Sequence, residues 1–185
     1  MNRKPRSGLA ALNFSWLSRV RRNHALEHAT MQVLSERHHA LQLMGRSSIW
    51  GFYIYGQAPT ESVLAAAQEG LRRLKAGQRQ MAIHPNCGSN LAIAGVLAGL
   101  GAFLALGGLS GADSKRRENL WERLSRLPLA CTSAILGILL ARPLGPIFQA
   151  HVTTQPDVGD LCIVSVAREQ KIGMLVHHIR TDFSG

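Results

Sequence analysis

The sequence predicts an α+β protein: a small sheet of about five strands with two or three helices, interrupted by a transmembrane helical hairpin. Two long apolar runs divide the chain, and segments typical of strands occur on both sides of them. Neither flanking piece is large enough to form a stable sheet alone. We therefore expect residues 1–88 and 150–185 to form one soluble domain around residues 89–149, which comprise the hairpin and its loop 113–126.

The piece before the apolar runs predicts alternating helices and strands. From Leu17 to Leu43, apolar residues recur at helical spacing without Gly or Pro, which predicts one long helix or a pair broken near His38-His39. Ile49–Tyr55 is rich in aromatic and β-branched residues and predicts a strand. A helix is expected from Pro59 to near Gly77, and Gln80–His84 predicts a second strand, which Pro85 ends.

The piece after the apolar runs predicts three more strands, at His151–Thr154, Leu161–Ala167 and Met174–Arg180. Turn residues separate them. A hairpin returns the chain to the side of the membrane that it left, so these strands can complete the N-terminal sheet.

The first apolar run, Leu91–Leu109, contains only Leu, Ala, Ile, Gly, Val and Phe. It is long enough to cross the ~30 Å hydrocarbon layer as a helix, which needs about 20 residues. The second run, Leu127–Ala141, is shorter and is flanked by Arg126 and Arg142, whose side chains can reach the headgroups. We interpret the pair as a transmembrane hairpin. The alternative is a buried helical pair in a soluble core, but the first run has no polar face to fit it.

Gly95 and Gly99 form a G-x-x-x-G pattern, which gives one face of the first span a smooth surface that another backbone can approach closely. The expected partner is the second span, through Ser133 and Gly137. A homodimer contact, or a contact with another membrane protein, predicts the same pattern.

Basic residues exceed acidic ones, 21 against 11, and the excess is concentrated near the N-terminus. The segment before Asn23 carries six Lys and Arg residues and no acid. The positive-inside rule then predicts that both termini of a cell-membrane protein are cytoplasmic. We expect this segment to meet anionic lipid headgroups. We expect no nucleic-acid partner, because no aromatic residues are interleaved and no recognition module is present.

His24-Ala25-Leu26-Glu27-His28 reads H-x-x-E-H, which on a helix sets two imidazoles one turn apart with a carboxylate beside them. Zinc favours such nitrogen ligands, and a neighbouring carboxylate can act as a general base. We therefore predict His24 and His28 as metal ligands and Glu27 as the catalytic base. The alternative is a pair of helix histidines satisfied by ordinary hydrogen bonds, with Glu27 in a salt bridge.

Two ligands do not suffice, and His84-Pro85-Asn86-Cys87-Gly88 offers more at the mouth of the first span. We predict His84 and Cys87 as the additional ligands, with His151 as a weaker candidate. The alternative is a turn and helix cap, in which Pro85 stops the strand and a polar residue caps the span. The other two cysteines, Cys131 and Cys162, are expected to be packed thiols.

The motifs Arg22–Thr30, Gly51–Gly56 and His84–Asn90 resemble a family of small bacterial two-span membrane proteins of unknown function, and the likeness covers most of residues 20 to 180. That resemblance implies no activity. The H-x-x-E-H element separately resembles the motif of inverzincin peptidases, which implies two histidine ligands and a glutamate base. Those much larger peptidases take a third ligand from a distant glutamate, a role for which only Glu69 is available before the first span.

These observations support two functions. The first is a membrane-bound, zinc-dependent hydrolase whose site lies at the cytoplasmic surface and whose substrate is a peptide or is derived from a lipid. The second is a non-enzymatic assembly or scaffold protein in which the His/Glu cluster is structural. A third reading is thiol chemistry by Cys87 with His84 as its base.

Overall fold

The chain folds as an α+β protein, which confirms the predicted class. The computed structural model describes residues 8–38, 41–108, 120–171 and 173–183. Its α-helices are α1 (Gly8–Arg37), α2 (Thr60–Lys75), α3 (Gly88–Ala105), α4 (Leu120–Ser125) and α5 (Leu127–Phe148), and its strands are β1 (Met44–Ser48), β2 (Gly51–Tyr55), β3 (Leu161–Lys171) and β4 (Met174–Phe183). A short 3-10 helix covers Arg79–Ala82, and a π-helical turn covers Gln149–Thr153.

The chain divides into two compact units. The first, here called the sheet unit, is formed by Met1–His84 together with Ala150–Gly185. The second, here called the apolar unit, is Pro85–Gln149.

One antiparallel sheet joins the two ends of the chain within the sheet unit. Its strand order is β1-β2-β4-β3, and β2 pairs directly with β4, with Phe52 opposite Ile179. Strands from before and after the apolar unit therefore share one sheet, as the sequence predicts. The sheet has four strands in the described part of the chain, one fewer than expected.

The predicted strand Gln80–His84 is wrong, because the chain forms a 3-10 helix at Arg79–Ala82. Its backbone bonds are local, from Met81 N to Gln78 O and from Ile83 N to Gln80 O. The Gln32 side chain on α1 also donates to carbonyls of this segment. These bonds satisfy the backbone groups that a neighbouring strand would have paired.

The predicted strand His151–Thr154 is also wrong, because the helical path of α5 continues through Thr153 as a π-helical turn. The Arg21 guanidinium donates to the carbonyls of His151 and Thr154, at 3.0 and 3.1 Å. The Arg21 side chain thus binds carbonyls that a partner strand would have paired.

The first helix and the first strand differ from their predicted limits. Helix α1 ends at Arg37, before the predicted end at Leu43; the break expected at His38-His39 lies partly outside the described residues. Strand β1 then forms from Met44–Ser48, a segment with little β propensity. It exists because it pairs along its whole length with β2.

The core of the sheet unit lies between one face of the sheet and helices α1 and α2. Phe52, Ile54 and Ile179 are fully buried from the sheet, and Leu26 and Val63 from the helices. Each such side chain contributes roughly 1.5–3 kcal/mol to folding. The central part of α1 is consequently enclosed by protein.

The apolar unit is dominated by two antiparallel helices, α3 and α5. Two helical stretches, Gly88–Ala105 and Leu127–Thr153, are long and apolar enough to cross a membrane by length and composition. The two helices run in opposite directions, because Gly145 lies against Asn90 and Gly137 lies against Leu97. The second stretch is 27 residues long, well beyond the predicted run that ends at Ala141.

The helices approach each other through small residues. A Cβ atom at Gly101 would lie 2.8 Å from the Ser133 carbonyl oxygen, and one at Gly137 would lie 2.6 Å from the backbone of Leu97. Ser133 and Gly137 therefore face α3, as expected. Gly95 and Gly99 do not take part, because Cβ atoms there would meet nothing within 4 Å in the described residues.

Gly137→Ala should destabilise the apolar unit, because the added methyl group enters the backbone of the facing helix. Overpacking of this kind costs about 1–3 kcal/mol, so the thermal unfolding temperature in detergent should fall. Gly95→Ala is the matched control, and it should be neutral or slightly stabilising because Ala favours helix more than Gly does. Equal effects of the two substitutions would contradict the observed packing.

The stability of the sheet unit should decrease as the pH falls below about 6.5. Burial, with a smaller effect of the Arg168 charge, lowers the pKa of His177 in β4, and burial lowers that of His178 as well. Below the unfolded pKa the unfolded chain therefore binds protons that the folded chain does not, and the stabilisation is complete only above it. Thermal unfolding measured across this pH range should show a smaller slope for His177→Gln, and an unchanged slope would refute the assignment.

Candidate metal centre

His24 and His28 lie one turn apart on the same face of α1, as their spacing predicts. Their ring centroids are 4.3 Å apart in an edge-on arrangement. His28 is 1% exposed, and His24 is half-buried. The two imidazoles therefore form one local cluster.

Backbone carbonyls hold both rings by the same atom. His24 Nδ1 lies 3.0 Å from the Thr153 carbonyl oxygen, and His28 Nδ1 lies 2.7 Å from that of Ala82. A carbonyl only accepts hydrogen bonds, so in the neutral imidazoles each Nδ1 carries the proton and each Nε2 carries the lone pair. This is the tautomer that metal-binding histidines adopt when the other ring nitrogen is anchored by a second group.

His28 Nε2 is buried and has no hydrogen-bond partner among the described residues. Buried polar atoms are almost always paired, and leaving one unpaired costs about 1–3 kcal/mol. An unpaired acceptor next to a second imidazole is the arrangement expected of a ligand-binding atom.

His84 lies near the same cluster. Its ring centroid is 5.8 Å from that of His28, and it follows the 3-10 helix that His28 and Gln32 hold through backbone carbonyls. The predicted convergence of α1 with the turn at His84 is therefore present.

Cys87, the remaining predicted ligand, belongs to the apolar unit and is half-buried. The Cys87 thiol also lies 3.1 Å from the Ser89 hydroxyl, in the first turn of α3.

Glu27 is 4% exposed, and its carboxylate contacts β1. It accepts a hydrogen bond from the Ser47 hydroxyl, and a Cβ atom at Gly45 would collide with its carboxylate. The glutamate is thus fixed in orientation by the first strand, on the residue next to His28.

Glu69 and the two histidines of β4 have partners outside the cluster. Glu69 is bound by Arg72 and Arg73, whose hydrogen bonds lower the pKa of its carboxyl to about 2, so it serves as an ion-pair partner on α2. His177 Nε2 lies 3.1 Å from the Thr60 hydroxyl, and the His178 ring stacks on Tyr53. Two of these three residues belong to the sheet rather than to the cluster.

The structure also shows a brace that sequence patterns do not reveal. Asn23 is fully buried; its amide donates to the carbonyls of Ser48 and Ile49, and its oxygen accepts from the Thr181 hydroxyl. The only signal in the sequence is a polar residue on the buried side of an amphipathic helix. This brace fixes the rotation of α1 one residue before His24.

Comparison with known proteins identifies a family and a relative but no activity. A family model described as a domain of unknown function (DUF6391) matches residues 19–166. An uncharacterized protein of Picosynechococcus sp. is 34% identical over 144 residues, which are 73% of this chain and 65% of the relative. The chain thus spans less than two thirds of the length of that relative. No solved structure matches this chain.

Gly45→Ala should destabilise the sheet unit because its methyl group would occupy the position of the Glu27 carboxylate. Overpacking costs about 1–3 kcal/mol. In a Glu27→Ala background the same change should cost much less, giving a coupling energy of about 0.5–3 kcal/mol in a double-mutant cycle of thermal unfolding. Additive effects would show that the two positions are not in contact.

Proposed function

This chain belongs to the DUF6391 family, whose function is unassigned, and we propose that it is a membrane protein that binds zinc and catalyses hydrolysis. One observation carries the proposal: two adjacent imidazoles have their Nδ1 atoms on backbone carbonyls, and the Nε2 atom of His28 is buried without a partner among the described residues. The proposal concerns only the part of the longer relative that this chain matches.

The ligand chemistry supports zinc. The ligands we propose are His24, His28 and Cys87, which offer two imidazole nitrogens and a thiolate, a borderline-soft donor set. Magnesium and calcium prefer oxygen ligands, whereas zinc binds nitrogen and sulfur in tetrahedral sites. With three protein ligands, such a site keeps its fourth position for water or substrate, which is typical of catalytic zinc.

The apolar unit supports a membrane location. Helix α3 exposes its apolar side chains, with none of its residues buried, and α5 likewise exposes most of its leucines and isoleucines. Water is a poor environment for such a surface, whereas the bilayer interior is a good one. The basic N-terminal segment then favours cytoplasmic termini in the cell membrane.

Glu27 supports hydrolysis. A zinc ion held by the histidines would supply Lewis-acid activation of water. Glu27 adjoins His28 and is oriented by the Ser47 hydroxyl, so its carboxylate is the general base that the chain offers. The substrate class we propose is a peptide or a lipid-derived ester or amide.

A structural metal site is the second candidate function, and the position of His84 favours it. Its ring lies close enough to His28 that one rotation could make it a fourth ligand. A site closed by four protein ligands would brace a scaffold protein rather than activate water.

Metal analysis of the detergent-purified protein tests the proposal. We expect about one zinc ion per chain, none in His24→Ala/His28→Ala, and full retention in the control His38→Ala, which changes a histidine just beyond α1. The cobalt-substituted protein should show a thiolate-to-cobalt charge-transfer band that Cys87→Ser abolishes. A metal-free wild-type protein, after purification with added zinc, would overturn the assignment.

Two further variants separate catalysis from bracing. Glu27→Gln should keep the metal and abolish cleavage of a fluorogenic casein or a p-nitrophenyl acyl ester. His84→Ala should keep the metal if three protein ligands suffice. Loss of the metal from this variant would show that the site is closed by four protein ligands and is structural. Activity that survives Glu27→Gln would remove Glu27 as the base.

A further inference from the structure

Three large apolar side chains are exposed on the sheet unit without a role in its core. Trp16 and Leu17, near the start of α1, are 50% and 48% exposed, and Trp50 in the β1–β2 turn is 63% exposed. We call these three residues the tryptophan edge.

Internal bonds place the two parts of the tryptophan edge at one end of the sheet unit. The Asn23 amide donates to the carbonyls of Ser48 and Ile49, next to Trp50, while Glu27 contacts Ser47 further along β1. The β1–β2 turn therefore points toward the beginning of α1. Trp16 precedes Asn23 by two helical turns, or about 10 Å of helix.

The sequence around Trp16 is strongly basic. Residues 1–26 contain six basic side chains and no acid. Arg19 lies 3.6 Å from Asp182 and Arg22 lies 3.9 Å from Asp160, so acids offset part of the charge on α1. The other four basic residues are Arg21, which donates to backbone carbonyls, and Arg3, Lys4 and Arg6, which precede an apolar sequence containing Leu9, Leu12 and Phe14.

We propose that the tryptophan edge rests in the headgroup region of an anionic phospholipid bilayer. Tryptophan favours the membrane–water interface because its ring is apolar and its N–H is polar. Basic residues near an anionic surface add electrostatic attraction to it. The inference rests on the proposed membrane location but not on the metal site.

A bilayer fits these features better than a nucleic acid or a protein partner does. A single-stranded nucleic acid requires successive aromatic faces along a basic groove, whereas the aromatic residues here are two separated indoles beside leucines. A protein interface would bury the indoles in a desolvated centre. The combination of exposed indoles, an exposed leucine and a basic neighbouring sequence is typical of interfacial anchors.

The test uses the full chain reconstituted in nanodiscs with and without phosphatidylglycerol. Single-tryptophan variants keep Trp16 (Trp50→Phe/Trp121→Phe) or Trp50 (Trp16→Phe/Trp121→Phe), and lipids brominated near the headgroup quench indoles at the interface. We expect at least twofold quenching of both tryptophans in the anionic discs. Arg3→Gln/Lys4→Gln/Arg6→Gln should reduce it to the level seen in neutral discs, since those charges supply the attraction.

The other outcomes separate this inference from the proposed membrane location. Release of the protein from the discs by alkaline carbonate would overturn the location itself. Retention with tryptophans that only aqueous acrylamide quenches would overturn the lipid contact alone. Protection from both quenchers would also overturn it, because the edge would then be buried against a second copy or another protein.

Discussion

The burial of helix α1 is the constraint on which the other contacts depend. Its central residues are enclosed, so each polar side chain there must find a partner inside the protein. Asn23 and Glu27 find theirs on the β1–β2 hairpin, while His24 and His28 find theirs on carbonyls of the segments that precede and follow the apolar unit. One helix thus contacts the β1–β2 hairpin and also orients the two imidazoles.

The sequence predicts those elements whose signal is local. Helical periodicity predicts α1 and α2, apolar length predicts α3 and α5, and β-rich segments predict β2, β3 and β4. Strand β1 and the 3-10 helix are missed because tertiary partners create them. Strand β1 forms through its pairing with β2, where a side chain at Gly45 would collide with the Glu27 carboxylate. The carbonyls near Ala82 are bound by side chains of α1.

For the candidate site, too, the sequence predicts what depends on local patterns and misses what depends on tertiary contacts. Helical spacing is enough to predict that His24 and His28 share a face. The turn at Pro85 is enough to name His84 and Cys87 as candidate ligands. The anchoring of each Nδ1 by a distant carbonyl depends on the full fold and leaves no trace in local patterns. The likeness to inverzincin peptidases stays local, because Glu69 is already held by two arginines.

The unpaired nitrogen of His28 bears on the choice between a ligand-binding role and a purely structural brace. A brace made only of hydrogen bonds would end on satisfied atoms, as Asn23 does with its three bonds. In His28, by contrast, Nδ1 binds a carbonyl, whereas Nε2 is buried without a partner in the described residues. Such an unpaired atom lowers the stability of the fold by about 1–3 kcal/mol. Natural proteins tolerate such local costs mainly at functional sites. The metal ion that we propose would offset this cost by binding the unpaired nitrogen.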